Sequence, residues 1–428
     1  MTDVVVLGGG AAGLMAAIAA GEVRRDSGRD LSVLVLEAAR DPGRKILVSG
    51  GGRCNVLPAF GAPDRFVSSS PARLVRRSLD RFPLDDQRLA FEELLGGPLH
   101  EEGPKLFPPS ERAHDVRDAL VARARALGVE FRCGTVGRSL APSAGGFSVG
   151  IDGRPLEART VVVATGGRSV LAGGADAAGF DLAARLGHAV RPLFPALVPM
   201  VARGAPNAPH ASPHAALSGL SAEARVTVTA GGRATSAAGG FLFTHRGYSG
   251  PAVLDAAHAV EVARLGDEPF RVKASFGTGL DAAAWDGIFR GASGSPAALL
   301  KRHFPDRLAD LLVAVSGIGA TAFQRLTREG RAALVHAVTA FELPVTGTEG
   351  YRTAEVTGGG VALEEVDPGS GASRLVPGLF FAGEILDAFG PIGGFNFQWA
   401  WATGRTAGRA AAAAAAGMAR SPWEPPPP

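Results

Sequence analysis

The sequence predicts an α/β protein whose parallel-sheet domain is interrupted by an insertion and then resumed. Residues 4–13 run from an apolar strand into glycines at G-x-G-x-x-G spacing, and residues 31–37 form a second apolar strand that ends in an acid. After a middle region of different texture, residues 379–398 return to an apolar strand followed by a glycine loop. This order is typical of a nucleotide-binding domain assembled from two distant parts of the chain.

The glycines of the first turn explain why a nucleotide is expected there. Gly8 permits the tight turn, Gly10 lets the backbone approach a pyrophosphate, and Gly13 lets the following helix pack close to the strand. The helix N-terminus then faces the phosphates with its positive dipole end. Glu37 follows about 20 residues later, where the ribose diol of a dinucleotide meets a hydrogen-bond acceptor.

The rest of the chain predicts the domain organisation. Residues 71–128 have a mainly helical pattern, residues 193–276 consist of short β runs broken by Gly, Pro and Ala, and residues 281–340 are helical again. We therefore predict a nucleotide-binding domain at 1–192 and 350–418, a β-rich insertion at 193–280 and about 341–349, a helical insertion at 281–340, and a disordered tail at 419–428.

Composition excludes several classes of protein. The 44 Lys and Arg residues against 41 Asp and Glu residues give a formal net charge of +3, so no nucleic-acid partner is expected. No apolar run is long enough for a transmembrane helix, so no membrane association is expected either. The two cysteines, Cys54 and Cys133, make no disulfide framework and indicate a reducing compartment. A cytoplasmic protein is predicted.

Four glycine-rich segments favour FAD over NAD as the nucleotide. An extended FAD needs close backbone approach at several sequence-distant places, and the chain offers residues 8–13, 49–55, 164–167 and 383–398. In the last of these segments, two glycines precede an alanine-rich helix. The positive end of that helix would stabilise the electron-rich edge of a reduced isoalloxazine ring.

Several segments of the sequence resemble one known family. They read G-G-G-A-A-G, G-R-K-I-L-V-S-G-G-G-R-C-N, L-F-T-H-R-G-Y-S-G-P-A, A-E-V-T-G-G-G-V, and G-L-F-F-A-G-E-I-L-D with G-G-F-N-F-Q-W-A. In this order they resemble the BaiN/aminoacetone-oxidase family of FAD-binding oxidoreductases, the YhiN-type flavoproteins. The resemblance implies a discontinuous Rossmann-like FAD-binding domain of the glutathione-reductase type, with inserted β-barrel-like and helical subdomains.

The same resemblance implies which residues bind FAD. The first glycine turn and Glu37 would hold the ADP part, and Lys45 and residues 50–55 would approach the flavin. Gly383, Glu384, Asp387 and residues 393–398 would close the site. The full set of predicted FAD-binding residues is Gly8, Gly10, Ala11, Ala12, Gly13, Glu37, Ala38, Lys45, Gly51, Gly52, Arg53, Cys54, Asn55, Val136, Ala164, Thr165, Gly166, Gly383, Glu384, Asp387, Gly393, Gly394, Phe395, Asn396 and Phe397.

The resemblance leaves the reaction open between amine oxidation and NAD(P)H-linked reduction of a carbon–carbon double bond. In either case we expect hydride transfer at flavin N5 with a small-molecule substrate. No second G-x-G-x-x-G follows a strand in the middle of the chain, so NAD(P)H, where it is the donor, would visit the flavin transiently. Two other functions stay open: a flavin-dependent tRNA-modifying enzyme and a non-catalytic FAD-binding protein.

Individual residues add little to this reaction class. His245 is the candidate catalytic residue, because a histidine beside a flavin-bound substrate would donate or accept a proton. Its alternative role is to order the loop before the helix that starts near Pro251. Cys54 has no second cysteine within a few residues, so a dithiol mechanism is not expected. No His or Cys pair has metal-ligand spacing, and no metal site is predicted.

Overall fold

The computed structural model describes residues 1–169, 178–202, 212–277 and 279–417. The chain divides into two compact units, one of residues Met1–Phe194 with Glu355–Pro428, and one of residues Pro195–Ala354. These divisions lie two and five residues beyond the predicted limits of the nucleotide-binding domain, at 192 and 350. The separation of the second unit into a β-rich and a helical domain stays a prediction, and the predicted tail at 419–428 lies outside the described residues.

Strands and helices occupy both units in the following order. The strands are β1 Thr2–Leu7, β2 Val33–Glu37, β3 Leu57–Pro58, β4 His100–Glu102, β5 Lys105–Phe107, β6 Glu130–Cys133, β7 Ser139–Ser143, β8 Gly146–Ile151, β9 Arg154–Val163, β10 Val190–Ala196, β11 Met200–Ala202, β12 Ser221–Ala230, β13 Arg233–Phe243, β14 Gly247–Ser249, β15 Phe270–Ser275, β16 Phe341–Leu343, β17 Val345–Thr348, β18 Val356–Val361 and β19 Leu379–Phe381. The helices are α1 Ala11–Ser27, α2 Arg44–Val48, α3 Ala72–Leu79, α4 Leu84–Leu95, α5 Ala113–Ala126, α6 Ala178–Arg185, α7 Pro251–Ala256, α8 His258–Leu265, α9 Ala282–Gly291, α10 Pro296–Leu300, α11 Asp306–Ser316, α12 Arg328–Thr339 and α13 Phe395–Ala415. None of the helices in the described part of the chain combines the length and apolar character that crossing a membrane requires.

The first unit is built on a Rossmann-type sheet, as predicted. Its strand order is β6-β2-β1-β9-β8-β7, with β19 pairing on β9. Strands β1, β2, β6, β9 and β19 are parallel, whereas β7 and β8 pair antiparallel. The side chains of Val4, Val5 and Val6 are fully buried, which explains why β1 is apolar from Val4 to Leu7.

The register of the parallel strands decides where the site lies. Leu7 of β1 pairs with Leu36 of β2 on one side and with Val163 of β9 on the other. The residues that follow these strands therefore meet at one edge of the sheet. Ligands of open α/β sheets bind at this carboxyl edge.

Helix α13 packs directly on α1 because two glycines let the backbones touch. A Cβ atom added at Gly404 would lie 2.4 Å from the carbonyl oxygen of Ala12, and one added at Gly408 would lie 2.0 Å from that of Ala16. Any larger residue would force the helices apart. This contact brings a helix from the far end of the sequence onto the first helix of the fold.

A small sheet of β3, β5 and β4 is a feature that the sequence did not predict. Residues 71–128 were expected to be mainly helical, and they do contain α3, α4 and α5. Between α4 and α5, however, the turn at Gly103 and Pro104 joins two three-residue strands. Strand β4 reads His-Glu-Glu and is exposed throughout, so it carries no apolar alternation that would signal a strand.

The second unit contains a curved antiparallel sheet and a group of helices. Its strand order is β16-β15-β12-β13-β14-β11-β17. The two edge strands are joined by Pro344 alone, so the sheet returns towards itself, which matches the predicted barrel-like insertion. Helices α9 to α12 fall within the predicted helical segment at 281–340. The second unit has its own hydrophobic core, which includes Phe241, Phe276 and Phe341.

Candidate functional site

A cavity of about 550 Å³ opens in the first unit at the carboxyl edge of β1, β2 and β9. Eighteen of the predicted FAD-binding residues line it: Gly8, Gly10, Ala11, Ala12, Glu37, Ala38, Lys45, Gly51, Asn55, Val136, Ala164, Thr165, Gly166, Glu384, Gly393, Gly394, Asn396 and Phe397. The structure thus brings together all four glycine segments in one cavity.

The first glycine turn has the backbone geometry that its sequence predicts. Gly8 has φ +100°, and a Cβ there would lie 2.5 Å from the carbonyl oxygen of Ala164. A Cβ at Gly13 would lie 1.8 Å from the carbonyl oxygen of Gly8. At Gly10, by contrast, a Cβ would meet no atom within 4 Å. Gly8 and Gly13 are therefore required by the protein itself, whereas Gly10 leaves space for a ligand.

Two helix N-termini border the cavity, and neither is capped by a side chain. Helix α1 has Gly10 as its N-cap, and α13 has Gly394. Neither helix carries an acidic residue in its first turn. Both ends keep the partial positive charge that binds anions. An elongated ligand with a pyrophosphate near one end and an electron-rich ring near the other, as FAD has, fits this pair.

Glu37 lies at the end of β2 on the cavity wall, where the dinucleotide motif requires an acid. Its Oε2 atom accepts a hydrogen bond from the Gly9 amide at 2.6 Å, and Oε1 accepts one from the Ala39 amide at 2.7 Å. These bonds fix the carboxylate beside the glycine turn. Each oxygen has a second lone pair, so the carboxylate can also accept hydrogen bonds from ribose hydroxyls.

An ion pair crosses the cavity wall between α2 and the segment after β19. The Nζ atom of Lys45 lies 2.7 Å from Oε2 of Glu384 and 3.2 Å from Oγ of Ser169. The other carboxylate oxygen of Glu384 accepts the amide of Thr357 at 2.8 Å. The Lys45 and Glu384 side chains are 25% and 17% exposed, so the pair is partly shielded and still open to a ligand.

The loop at residues 49–55 reaches the N-terminus of α13. Gly50 and Gly51 have φ +57° and +67°, a left-handed conformation that favours glycine. The Asn55 amide oxygen accepts the Gly394 amide at 3.0 Å, and its nitrogen donates to the Leu57 carbonyl at 3.1 Å. Asn55 therefore ties the loop to the first turn of α13.

Seven predicted residues do not line the cavity: Gly13, Gly52, Arg53, Cys54, Gly383, Asp387 and Phe395. Arg53 instead pairs with Glu102 at 2.8 Å and lies over the Phe107 ring. The carboxylate of Asp387 accepts the Ser69 amide at 3.1 Å, and its side chain is buried. These two polar residues support neighbouring loops and do not face the cavity.

Cys54 is fully buried behind the loop that lines the cavity. Burial raises the pKa of its thiol to about 12, because the apolar surroundings disfavour the thiolate. Only the thiolate is an effective nucleophile. The buried thiol of Cys54 packs inside the protein, and the absence of a dithiol mechanism stays a prediction.

His245 lies in the second unit, in the turn between β13 and β14. Its side chain is exposed, and its carbonyl accepts the Ser212 amide at 2.8 Å. Neighbouring Arg246 pairs with Glu349 at 3.6 Å. The buried hydroxyl of Tyr248 bonds Nδ1 of His214 at 2.7 Å. His245 is not among the residues that line the cavity, and its catalytic role stays a prediction.

Several lining residues were missed by the sequence reasoning. Lys105 comes from β5, Thr135 and Gly137 follow β6, and Glu355 precedes β18. The other missed residues are Leu7, Leu36, Gly43, Arg44, Val48, Ala178, Gly179, Val356, Trp399 and Ala400. Ser49, Gly50, Gly167, Ala388 and Ile392 also line the cavity and lie within the predicted glycine segments. A usable signal existed for Lys105, which is one of only four lysines in an arginine-rich chain.

The fold and the cavity define a Rossmann-type dinucleotide-binding protein. Residues 2–410 match the model of the family described as HI0933-like protein Rossmann domain, and the chain belongs to this family. It is 32% identical over 408 residues to the ribosomal RNA dihydrouridine synthase of Escherichia coli (strain K12), covering 94% of this chain and 96% of that protein. It is 31% identical over 419 residues to the 3-dehydro-bile acid delta(4,6)-reductase of Clostridium scindens, covering 96% and 99%.

A third relative agrees with the first. The ribosomal RNA dihydrouridine synthase of Haemophilus influenzae is 30% identical over 414 residues, covering 93% of this chain and 96% of that protein. The family match confirms the resemblance to the BaiN-type FAD-binding oxidoreductases. It also confirms the class of protein that the sequence predicted, an FAD-dependent oxidoreductase.

Proposed function

We propose that this protein is an FAD-dependent reductase that adds hydrogen across a carbon–carbon double bond conjugated to a carbonyl group. The observation that carries the proposal is the cavity bordered by the uncapped N-termini of α1 and α13. The names of the relatives support reduction over amine oxidation. A bile acid delta(4,6)-reductase and a dihydrouridine synthase both remove a double bond that is conjugated to a carbonyl.

Each part of the cavity has a role in holding FAD. The backbone around Gly10 would bind the pyrophosphate, and Glu37 would accept hydrogen bonds from the ribose. Gly393 and Gly394, at the start of α13, would lie against the isoalloxazine, where the helix dipole favours negative charge. When bound, FAD supplies hydride transfer at its N5 atom.

The ion pair of Lys45 and Glu384 is one of the charged groups that line the cavity. Its Lys45 ammonium already donates to Glu384 and Ser169, and one more N–H remains for a ligand atom. The carboxylate keeps that ammonium in place. We assign Lys45 a positioning role towards the cofactor, held by Glu384.

NAD(P)H is proposed as a transient electron donor. The sequence has one dinucleotide fingerprint, which the FAD site uses, so a nicotinamide would approach the flavin without a domain of its own. His245 stays the candidate residue that would donate a proton to the substrate or accept one from it. A non-catalytic FAD-binding protein is the outcome if no donor reduces the bound flavin.

RNA is the second candidate substrate class. Composition predicts a small molecule, because the net charge is only +3. Two relatives of nearly full coverage, however, carry ribosomal RNA in their names. These names favour a uridine base as the conjugated substrate. The protein would then be a flavin-dependent RNA-modifying enzyme.

An anaerobic two-step titration tests the proposal. The FAD-loaded protein is first titrated with NADH, NADPH and small amines while flavin bleaching is recorded. The reduced protein is then mixed with a 3-oxo-4,6-diene steroid or a uridine-containing RNA. We expect bleaching by a nicotinamide and recovery of the yellow colour with a conjugated acceptor, which gains two hydrogen atoms in its mass spectrum. Bleaching by amines alone, or recovery with neither acceptor, would overturn the proposal.

A further inference from the structure

The exposed face of α3 consists almost entirely of arginine. Arg73, Arg76 and Arg77 are exposed, whereas residues 74, 75, 78 and 79 are buried. At 100° per residue the three arginines fall on one side of the helix and the buried residues on the other. We call Arg73, Arg76 and Arg77 the α3 basic face.

This face lacks the acidic partners that surface arginines usually have. Arg76 pairs with Asp64, but no ion pair or hydrogen bond is recorded for the side chains of Arg73 and Arg77 in the part of the chain that the structure describes. Residues 60–81 contain five arginines against two aspartates, so this short segment carries as much net positive charge as the whole protein. The positive charge is therefore local, although the total charge is small.

An exposed aromatic ring and a further arginine connect the α3 basic face to the cavity. The guanidinium of Arg65 lies 5.3 Å from the centre of the Phe395 ring. Phe60, which is 46% exposed, lies 6.1 Å from the same ring, edge to face. Phe395 is the first residue of α13, and the next two residues, Asn396 and Phe397, line the cavity. Phe60 and Arg65 of this segment thus contact the residue that directly precedes the cavity-lining part of α13.

We infer that residues 60–77 form an RNA-docking surface that presents a nucleotide to the α13 end of the cavity. The inference rests on the proposed function and names RNA as its substrate class. Arginine guanidinium groups bind phosphate oxygens through paired hydrogen bonds, which Arg73 and Arg77 are free to make. The exposed Phe60 ring offers the stacking surface that single-stranded bases use. An acidic peptide would use the arginines but has no need of the ring.

Salt-dependent RNA binding by the full-length, FAD-loaded protein tests this surface. A fluorescent single-stranded RNA that contains uridine is titrated by polarisation over a range of KCl concentrations. In R73Q/R77Q, two phosphate contacts are lost, so the negative slope of log K against log salt becomes shallower by about 1.4. At moderate salt the affinity falls about tenfold or more. R73K/R77K keeps both charges and keeps the slope.

Two further variants separate charge from stacking and from general effects. F60A weakens RNA binding by about 5- to 150-fold without changing the salt slope, because stacking releases no counterions. R154Q is the matched control, since Arg154 is exposed at the start of β9 and lies outside residues 60–81. It leaves RNA affinity and slope unchanged. The thermal stability and flavin content of every variant are measured alongside, and all are expected to match the wild type.

The outcomes distinguish this inference from the proposed function. RNA binding that R73Q/R77Q leaves intact, or that R154Q reduces equally, would overturn the docking surface. So would tighter binding of anionic lipid vesicles or heparin than of RNA. If the protein binds no RNA but its reduced flavin is reoxidised by the steroid dienone, the docking surface is wrong and the proposed reductase stands. If neither acceptor reoxidises the flavin, the proposed function fails by itself.

Discussion

Substitution of Gly10 and of Gly13 in the first turn distinguishes a glycine needed for FAD binding from one needed for folding. Gly10 has φ −74°, which any residue adopts, and an added Cβ meets no protein atom within 4 Å. G10A should therefore fold with a free energy of unfolding within about 1 kcal/mol of the wild type. Its methyl group, however, occupies the space through which the pyrophosphate reaches the helix N-terminus. Loss of one charge-assisted hydrogen bond costs about 1.5–3 kcal/mol, so FAD affinity falls about 10- to 150-fold.

The neighbouring substitution G13A has the opposite profile. Its Cβ would lie 1.8 Å from the backbone oxygen of Gly8, and backbone cannot move aside as a side chain can. Overpacking of this kind costs about 1–3 kcal/mol or more, so the apoprotein itself is destabilised. FAD affinity is measured by quenching of FAD fluorescence on titration with apoprotein, and stability by urea denaturation followed by circular dichroism. Wild-type FAD affinity in G10A, or wild-type apoprotein stability in G13A, would refute the reasoning.

Three further predictions concern individual side chains. E384Q removes the charge that faces Lys45 but keeps an oxygen for the backbone hydrogen bond, so urea denaturation should show a free energy of unfolding of the apoprotein that is lower by about 1–2 kcal/mol. K45M/E384Q should recover part of this loss. Additive losses would contradict a direct pair. Cys54 should resist iodoacetamide at pH 8 in the native protein because burial raises its pKa to about 12. Partly exposed Cys133 should react first. Peptide mass mapping that finds Cys54 labelled in the native protein would contradict this prediction. Burial lowers the pKa of His188, so below pH about 6.5 the unfolded chain binds more protons than the folded protein and the free energy of unfolding falls on acidification. H188N should show a smaller fall in the free energy of unfolding between pH about 7.5 and about 5. An unchanged fall would contradict this role of His188.

The nucleotide end of the site was predictable because it depends on local and parallel-strand geometry. Gly8 and Ala164 each follow an apolar strand and Glu37 ends one, and parallel pairing places such residues at one edge of the sheet whatever lies between them in sequence. The glycine pattern before α13 was visible for the same reason. A short glycine motif requires a particular backbone conformation, so it can be recognised in the sequence without knowledge of the tertiary fold.

The rest of the site depends on tertiary packing, which the apolar periodicity of the sequence does not reveal. Lys105 reaches the cavity from a strand of three residues, and β4 beside it carries no apolar alternation. Asp387 looked like a ligand-facing acid because of its neighbours in sequence, yet three consecutive serines, Ser68 to Ser70, turn its carboxylate into the interior. Whether a polar side chain faces a ligand or a neighbouring loop is decided by contacts distant in sequence.

The direct packing of α13 on α1 has a consequence for how the protein acquires its cofactor during synthesis. Gly404 and Gly408 hold the last described helix against the first one, and residues at the start of both helices line the same cavity. A ribosome makes α1 first and α13 only after almost all other elements of the fold. A nascent chain can therefore form the first glycine turn early but completes the cavity only once Phe395 to Ala415 have left the exit tunnel. We therefore expect chains that end before Phe395 to be purified without bound flavin.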